Sequence, residues 1–292
     1  MTNYRALQQD LAGVLRATCG EDAVREARYL VQYVTGWDAA KLIACGGDTV
    51  SQAHRDAVQS VRVRRQAGEP LSRIRGTREF YGLDFALNAD TLDPRADSET
   101  LIDAAFDWYR QRGSDTAPRI LDLGTGTGCL LLTLLYHWRK ATGIGIDRSY
   151  NAALQALTNA ACLNVQDRSL FVAGDWLGAI GPKSRFDLVI ANPPYIPRKD
   201  VAGLENAVKN YDPVLALDGG EDGLDPYKTL VYALPTLLTP GGAGLFEVGI
   251  NQADDVAAMG VQSGATHIRT HADSGGIQRV VDIRYGDKYK KS

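Results

Sequence analysis

The chain has 292 residues, of which 45% are apolar and 23% are charged, and its formal net charge is −3. Such values are typical of a globular protein with a sizeable buried core. The slightly acidic balance argues against long nucleic acid as the main partner, because nucleic-acid-binding domains carry an excess of Lys and Arg. Arginines are nevertheless dense between positions 62 and 78. That cluster is either a solvated helix face or an RNA-facing patch, and both interpretations stay open.

The cysteines form no C-x-x-C pair and show no disulfide-like spacing; they are Cys19, Cys45, Cys129 and Cys162. This pattern is typical of reduced thiols. No apolar run approaches the roughly 18 residues that a membrane-spanning helix needs, and the N-terminus has no apolar signal core. The histidines form no group suited to a metal or to a catalytic triad. We therefore expect a cytoplasmic protein with no membrane partner and no metal site.

Residues 1–75 are predicted to form an N-terminal helical bundle. Apolar side chains recur there at helical spacing, for example at Leu7, Leu11 and Val14. Glycines such as Gly20 separate the helical segments. A small helical domain is therefore expected to precede the rest of the chain.

Residues 76–96 are predicted to form a β-hairpin linker. Positions 79–87 alternate in polarity around a glycine, as in a short hairpin. A new helix is predicted to begin at Asp97, whose carboxylate can accept hydrogen bonds from the free amides of the first turn. Asp97 is therefore interpreted as an N-cap.

Residues 97–292 are predicted to form an α/β domain with a doubly wound, Rossmann-like sheet. The predicted strands are 119–123, 142–147, 169–173, 186–191, 243–248, 266–270 and 277–284, and the predicted helices are 129–139, 150–163, 226–238 and 253–263. Strands that alternate with helices indicate a parallel sheet with helices on both faces. The last two strands follow each other directly, which predicts an antiparallel edge.

A glycine-rich loop joins the first strand of this sheet to a helix. It comprises Gly124, Thr125, Gly126, Thr127 and Gly128. Ligands of open α/β sheets bind outside the carboxyl ends of the strands, and glycines let the backbone approach them closely. Asp147 ends the next strand about 20 residues later, where a carboxylate can accept hydrogen bonds from both ribose hydroxyls. The loop and Asp147 together predict a nucleoside cofactor.

A nicotinamide cofactor is the rival interpretation of this loop. The dinucleotide fingerprint G-x-G-x-x-G would require a third glycine at Cys129. The observed G-x-G-x-G spacing favours a nucleoside without a pyrophosphate instead. Asp175 and Trp176 follow the third strand at the same edge of the sheet. Trp176 is predicted to lie against an adenine ring, with Asp175 accepting from the exocyclic amine.

The strongest sequence signal follows the fourth strand, at Asn192, Pro193, Pro194 and Tyr195. The two prolines fix φ and remove two amide donors, so the loop is stiff and presents acceptors. The side-chain oxygen of Asn192 and the carbonyl of Pro193 can hold both hydrogens of an NH₂ group, and Tyr195 can stack on a flat substrate. An amide or aryl nitrogen is a poor nucleophile, so fixed acceptors that orient it favour methyl transfer.

Taken together, these motifs resemble the release factor glutamine methyltransferases, a family known as PrmC or HemK, over nearly the whole chain. The matching segments are 68–70, 78–82, 94–95, 122–128, 192–195, 217–224 and 247–249. The resemblance implies a seven-stranded S-adenosylmethionine-dependent methyltransferase domain behind a helical substrate-recognition domain. It also implies methylation of N5 of the glutamine in the Gly-Gly-Gln motif of peptide-chain release factors.

Site residues carry over from this resemblance by position. The implied cofactor-binding residues are Gly124, Thr125, Gly126, Thr127, Gly128, Asp147, Trp176 and Asn192, and Asp175 joins them from the local pattern after the third strand. The implied substrate-binding residues are Asn192, Pro193, Pro194 and Tyr195, with Asn192, Pro193 and Tyr195 as the catalytic set. Two positions depart from the family pattern: Ala96 stands where a second proline follows Pro-Arg, and Arg75 where an apolar residue is common.

Several alternatives remain beside this assignment. One is a glutamine methyltransferase of a ribosomal protein, and another is an adenine-N6 methyltransferase of nucleic acid, which would share the Asn-Pro-Pro-Tyr chemistry. A regulatory protein that binds the cofactor without catalysis is a third. The favoured interpretation expects release factors as protein substrates, no direct nucleic-acid substrate, and a monomer.

Overall fold

A computed structural model describes residues 2–113 and 116–286. The chain divides into two compact units. The first extends to Thr77 and also includes Asn206–Tyr211, and the second comprises Arg78–Glu205 and the chain from Asp212 onward. The separate linker at 76–96 stays a prediction. The hairpin residues Phe80 and Phe85 belong to a core of the second unit.

The described elements begin and end as follows. The helices are α1 (Tyr4–Cys19), α2 (Ala23–Thr35), α3 (Ala39–Ala44), α4 (Gln52–Gln66), α5 (Leu71–Arg75), α6 (Glu99–Arg112), α7 (Cys129–His137), α8 (Tyr150–Cys162), α9 (Arg198–Val201), α10 (Asn206–Lys209), α11 (Asp225–Leu237) and α12 (Ala253–Gln262). The strands are β1 (Thr77–Phe80), β2 (Leu83–Ala86), β3 (Arg119–Leu123), β4 (Thr142–Asp147), β5 (Ser169–Ala173), β6 (Phe186–Ala191), β7 (Leu238–Glu247), β8 (His267–Ala272) and β9 (Gln278–Arg284). None of these helices is long and apolar enough to span a bilayer.

The first unit is helical around its own apolar core. Asn3, Asp38 and Ser51 cap α1, α3 and α4, each accepting a hydrogen bond from a backbone amide of the first turn. Leu15 of α1 and Leu30 of α2 are fully buried in the core that these helices share. Short polar caps and apolar stripes therefore specify this unit locally.

The second unit is built on a seven-stranded sheet with strand order β5-β4-β3-β6-β7-β9-β8. The pairs from β5 to β7 are parallel, whereas β9 is antiparallel to both β7 and β8. The predicted α/β fold and its antiparallel edge are thus confirmed. Because the strand order reverses between β3 and β6, the crevice at their carboxyl ends is where ligands of such sheets bind.

Two sequence-based expectations were wrong in detail. Asp97 does not cap α6; it lies in a 3₁₀ turn before the helix, and its carboxylate pairs with Arg279 at 3.0 Å. The ion pair takes the carboxylate away from the helix amides. The strand β7 begins at Leu238 rather than 243, because a register irregularity between Phe186 and Leu188 lets pairing continue past the glycines.

Candidate active site

A cavity of about 340 Å³ opens at the carboxyl ends of the central strands. Its lining includes, of the residues predicted from the sequence, Gly124, Thr125, Gly126, Thr127, Asp147, Asp175, Trp176, Asn192 and Pro194. The lining does not include Gly128, Pro193 or Tyr195. The glycine loop after β3 and the Asn-Pro-Pro-Tyr loop after β6 therefore face one cavity from adjacent strands.

The glycine loop is held by hydrogen bonds to the neighbouring strand. The amides of Gly124 and Thr125 both donate to the carbonyl of Ile146, at 2.9 and 3.0 Å. Gly126 has a φ of 55°, and among the described residues no atom beyond its chain neighbours lies within 4 Å of the place a Cβ would take. The loop thus leaves open space above its backbone, which is what a closely bound ligand requires.

Asp147 ends β4 with its carboxylate fixed in position. Oδ2 accepts from the amide of Gly126 and Oδ1 from the amide of Ser149, both at 2.8 Å. Burial, the largest influence, raises the pKa of Asp147, while these two hydrogen bonds lower it. Each carboxylate oxygen keeps a second lone pair, so Asp147 can still accept from a ribose hydroxyl.

Trp176 covers the first glycine of the loop. Its ring atom Cζ3 lies 3.6 Å from the place where a Cβ of Gly124 would be. Trp176 itself has a φ of 45°, an uncommon conformation for a residue with a side chain. The neighbouring Asp175 is exposed at the same turn. The indole therefore offers a flat apolar surface beside the loop, suited to an adenine ring.

Asp122 is a buried carboxyl group behind the loop, to which the sequence had assigned no separate role. The Thr125 hydroxyl donates to its Oδ2 at 2.6 Å. Burial, with a smaller contribution from Asp147, raises the pKa of Asp122 to about 7. Asp122 therefore anchors the loop from below rather than lining the cavity. Its position near the end of β3, two residues before Gly124, was the sequence feature that could have indicated this role.

Gly128 has a packing role rather than a place in the lining. A Cβ at this position would lie 2.9 Å from Cδ1 of Leu132 and 3.1 Å from Cβ of Ala156. Its φ of 79° also favours glycine. Gly128 thus lets α7 begin close against α8.

The Asn-Pro-Pro-Tyr loop is clamped by the segment around 217–224. The amide of Ile196 donates to the carbonyl of Leu217 at 3.1 Å, and the amide of Gly219 donates back to Ile196 at 2.9 Å. A Cβ at Gly219 would lie 2.7 Å from the carbonyl oxygen of Pro194, and one at Gly223 would lie 2.4 Å from that of Tyr195. Glycine is needed at both positions because two backbones touch there.

Tyr195 is wedged from the other side. The side-chain amide of Gln252 donates to the carbonyl of Tyr195 at 3.0 Å. A Cβ at Gly249 would lie 3.0 Å from Cδ2 of the Tyr195 ring. Burial raises the pKa of Tyr195 to about 12. The ring is thus packed and uncharged, and its stacking on a substrate stays a prediction. The contact of Gln252 with Tyr195 was not predicted from the sequence, because no local pattern links Gln252 to this loop.

The residues present fit S-adenosylmethionine. The fixed carboxylate of Asp147 suits a ribose, the open side of Gly126 admits a ligand at backbone distance, and the Trp176 indole suits a purine. The sheet order and this site define the class of S-adenosylmethionine-dependent methyltransferases. The sequence family described as "Methyltransferase domain" matches residues 114–250, in agreement with this class.

Comparisons with known proteins identify the family. The family described as "PrmC N-terminal domain" matches residues 6–76. The "Release factor glutamine methyltransferase" of Rhodospirillum rubrum is 44% identical over 261 residues, covering 89% of this chain and 78% of the relative. That of Bradyrhizobium diazoefficiens is 41% identical over 284 residues, covering 97% and 95%. The chain belongs to the family of release factor glutamine methyltransferases.

Solved structures agree on the fold. The N-terminal domain of human METTL16 in complex with SAH is 15% identical, covers 82% of this chain and 85% of its own, and has a TM-score of 0.52. A methyltransferase from Pyrococcus furiosus is 14% identical, with coverages of 78% and 99% and a TM-score of 0.51. At these identities the likeness concerns the fold alone.

Proposed function

We propose that this protein transfers a methyl group from S-adenosylmethionine to the side-chain amide nitrogen of the glutamine in the Gly-Gly-Gln motif of peptide-chain release factors. The observation that carries the proposal is the placement of Asn192, in a clamped loop, in the same cavity as the glycine loop and Asp147. The names of the curated relatives support release factors as substrates. A ribosomal-protein substrate and an adenine substrate are not favoured by these relatives.

The substrate amide must be oriented before it can react. Its lone pair is delocalised into the carbonyl, so the NH₂ group has to be held with the nitrogen directed at the methyl donor. We assign Oδ1 of Asn192, which lines the cavity, and the carbonyl oxygen of Pro193, the next residue in the chain but outside the lining, as the two acceptors of the NH₂ hydrogens. Both groups belong to a loop whose prolines restrict its motion, so little reorganisation is needed during reaction.

The cofactor site supplies the second half of the geometry. S-adenosylmethionine provides, when bound, an electrophilic methyl group on a sulfonium. We assign Gly124, Gly126, Asp147 and Trp176 to hold its nucleoside. With the cofactor bound, its methyl group would pass to the amide nitrogen, S-adenosylhomocysteine would be left, and the one proton displaced from nitrogen would go to solvent. Asn192 and Pro193 would accept from the NH₂ hydrogens and hold the nitrogen in place for that transfer.

The helical unit is proposed to recognise the protein substrate. The departures from the family pattern at Ala96 and Arg75 are proposed to affect which protein substrate is chosen. An enzyme acting on release factors works where translation ends, so we assign it to the cytoplasm. That the chain is a monomer without a nucleic-acid substrate stays a prediction.

The test is methyl transfer to purified release factor from labelled S-adenosylmethionine. We expect one methyl group on the Gly-Gly-Gln glutamine, located by tandem mass spectrometry, and no label when that glutamine is changed to alanine. Ribosomal proteins and an adenine-containing oligonucleotide serve as competing acceptors. Persistent labelling of the altered factor, or preferential labelling of a competing acceptor, would refute the proposal.

A further inference from the structure

A buried carboxyl group lies behind the Asn-Pro-Pro-Tyr loop. Glu247 is the last residue of β7 and only 1% exposed. The strands β6 and β7 are parallel and pair Ala191 with Phe246, so Asn192 and Glu247 leave the sheet side by side. Burial of a carboxyl group is costly unless its oxygens find partners. The partners of Glu247 therefore indicate what the group does.

Those partners belong to the site. Ser98, Arg279 and Asn192 act on the Glu247 carboxyl so as to lower its pKa, whereas burial, the largest influence, raises that pKa to about 7. Its Oε2 is buried and has no hydrogen-bond partner among the described residues. Ser98 is 2% exposed and lines the cavity together with Asn192. The backbone carbonyl of Glu247 is itself fixed by the Tyr227 hydroxyl at 2.8 Å. Glu247 thus stands on a rigid support and faces the amide of Asn192.

The two ends of the Asn192 amide are treated differently. Its Nδ2 donates to the Ser98 hydroxyl oxygen at 3.1 Å. Its Oδ1 accepts no hydrogen bond from the residues that the structure describes. The ionised carboxyl group of Glu247 is an acceptor only, and its protonated form keeps one acceptor oxygen, so both forms can accept from the NH₂ end of the Asn192 carboxamide. Ser98 and Glu247 together leave the Asn192 oxygen as the end available to a substrate.

We propose that Glu247 is a positioning residue, which with Ser98 holds the NH₂ end of Asn192 inward so that its Oδ1 accepts from the substrate amide. This inference rests on the proposed function, in which Asn192 binds the glutamine NH₂ group. The role of Glu247 is to offer an acceptor to Asn192. A flipped Asn192 amide would direct its Nδ2 donor at the NH₂ group of the substrate, which is also a donor. The substrate nitrogen would then no longer be held in its orientation.

Two substitutions test whether Glu247 acts as a hydrogen-bond acceptor or only fills space. Glu247→Met keeps much of the length of the side chain but has no strong acceptor, whereas Glu247→Gln keeps one acceptor oxygen. We expect kcat on release factor to fall at least about tenfold for Glu247→Met and to stay within roughly threefold for Glu247→Gln. The dissociation constant of S-adenosylmethionine should change less than about twofold in both. Equal losses of kcat, or a change confined to cofactor affinity, would overturn the proposal.

A double-mutant cycle with Asn192→Ala tests whether Glu247 acts through Asn192. In the Asn192→Ala background, Glu247→Met should change the residual single-turnover rate by less than about twofold, because the group it positions is gone. A purely structural role predicts that the same factor reappears in both backgrounds. That additive result contradicts the inference.

Matched controls separate stability from rate. Asp282→Asn changes another fully buried carboxyl group, on the neighbouring strand β9, where its partners are Arg284 at 2.6 Å and His271 at 3.9 Å. Its kcat should equal that of the wild type whatever happens to its melting temperature. Ser98→Ala should lower kcat about threefold or more. If Glu247→Met does not fold, Ser98→Ala provides the test. An unchanged kcat for folded Ser98→Ala would refute the proposal that Ser98 and Glu247 position Asn192.

The side-chain NH₂ signal of Asn192 gives a readout that needs no substrate. Assigned by its absence in Asn192→Ala, this signal should exchange slowly with solvent in the wild type and faster in Glu247→Met. Unchanged exchange in Glu247→Met refutes the inference. Failure of the wild type to methylate release factor instead refutes the proposed function, so the two failures are distinguishable.

Discussion

The two loops that face the cavity are stiffened in different ways. The glycine loop is held by close neighbours along β3 and β4: Thr125 bonds to Asp122, and Asp147 accepts from Gly126. The Asn-Pro-Pro-Tyr loop is held by groups distant in sequence, among them Ser98 and Gln252. The proposed cofactor half of the site, which is the glycine loop with Asp147, therefore depends on residues near in sequence. The proposed substrate half, which is the Asn-Pro-Pro-Tyr loop, depends on the assembled fold. Changes to the first half should act on cofactor affinity, and changes to the second on kcat.

The largest expected effect belongs to Asn192. Asn192→Ala removes the acceptor that we assign to the reacting nitrogen, so kcat should fall by roughly 10²–10³ while the cofactor dissociation constant stays within about threefold. Single-turnover methyl transfer and calorimetry measure the two quantities. A large loss of cofactor affinity with a preserved kcat would place Asn192 in the cofactor half and break the comparison.

The next effect tests the clamp on the substrate half. Gly219→Ala places a Cβ against the carbonyl oxygen of Pro194, at 2.7 Å, without any strain from positive φ. The loop must shift, and kcat should fall by about 10²-fold, because misplacement of a reacting group by about 1 Å has that cost. Gly203→Ala is the matched control, since a Cβ there meets only the carbonyl of Asp200 at 3.5 Å. Equal activities of the two variants would show that the clamp is dispensable.

A smaller effect is expected in the cofactor half. Asp147→Ala removes the carboxylate that we assign to the ribose and also frees the amide of Gly126. The dissociation constant of S-adenosylmethionine should rise by about 10- to 100-fold, and kcat at saturating cofactor should remain within about threefold. Isothermal calorimetry and saturation kinetics measure both. A loss in kcat that saturating cofactor does not restore would show that Asp147 also affects the chemical step, which contradicts the division into two halves.

The same division explains what could be predicted from sequence. The strands β4, β5 and β6 were predicted with their observed bounds, because each is a short apolar run between turn signals. The residues facing the cavity from the glycine loop follow from one local motif. Ser98, Glu247 and Gln252 could not be assigned, since they meet Asn192 and Tyr195 only once segments distant in sequence pack together.

The N-cap at Asp97 failed for a related reason. Propensity favours a carboxylate at a helix start, but Arg279, far along the chain, takes that carboxylate in an ion pair. Gly219 and Gly223 were visible as part of a family motif, yet their purpose was not, because the backbone they touch comes from another loop. Local chemistry predicts what a residue can do, and the fold decides which partner it meets.

The smallest expected effect concerns pH and compares one buried carboxyl group from each half. Burial, the main cause, raises the pKa of Asp122 from 3.8 and that of Glu247 from 4.5, both to about 7. A carboxyl group whose pKa is raised on folding contributes stability that is complete below its unfolded pKa and is lost as pH rises through about 7. The cofactor-free protein should therefore lose melting temperature between pH 5 and pH 8.

Asp122→Asn and Glu247→Gln each remove one of these titrations. In each variant the loss of melting temperature over that pH range should shrink by about 3–6 °C relative to the wild type, measured by calorimetry. The two variants should differ in their affinity for S-adenosylmethionine. Asp122→Asn changes the loop assigned to the cofactor, so it should weaken cofactor binding. Glu247→Gln keeps an acceptor for Asn192 and should leave that affinity unchanged. If both variants weaken cofactor binding equally, the two buried carboxyl groups serve one coupled site rather than two separately held loops.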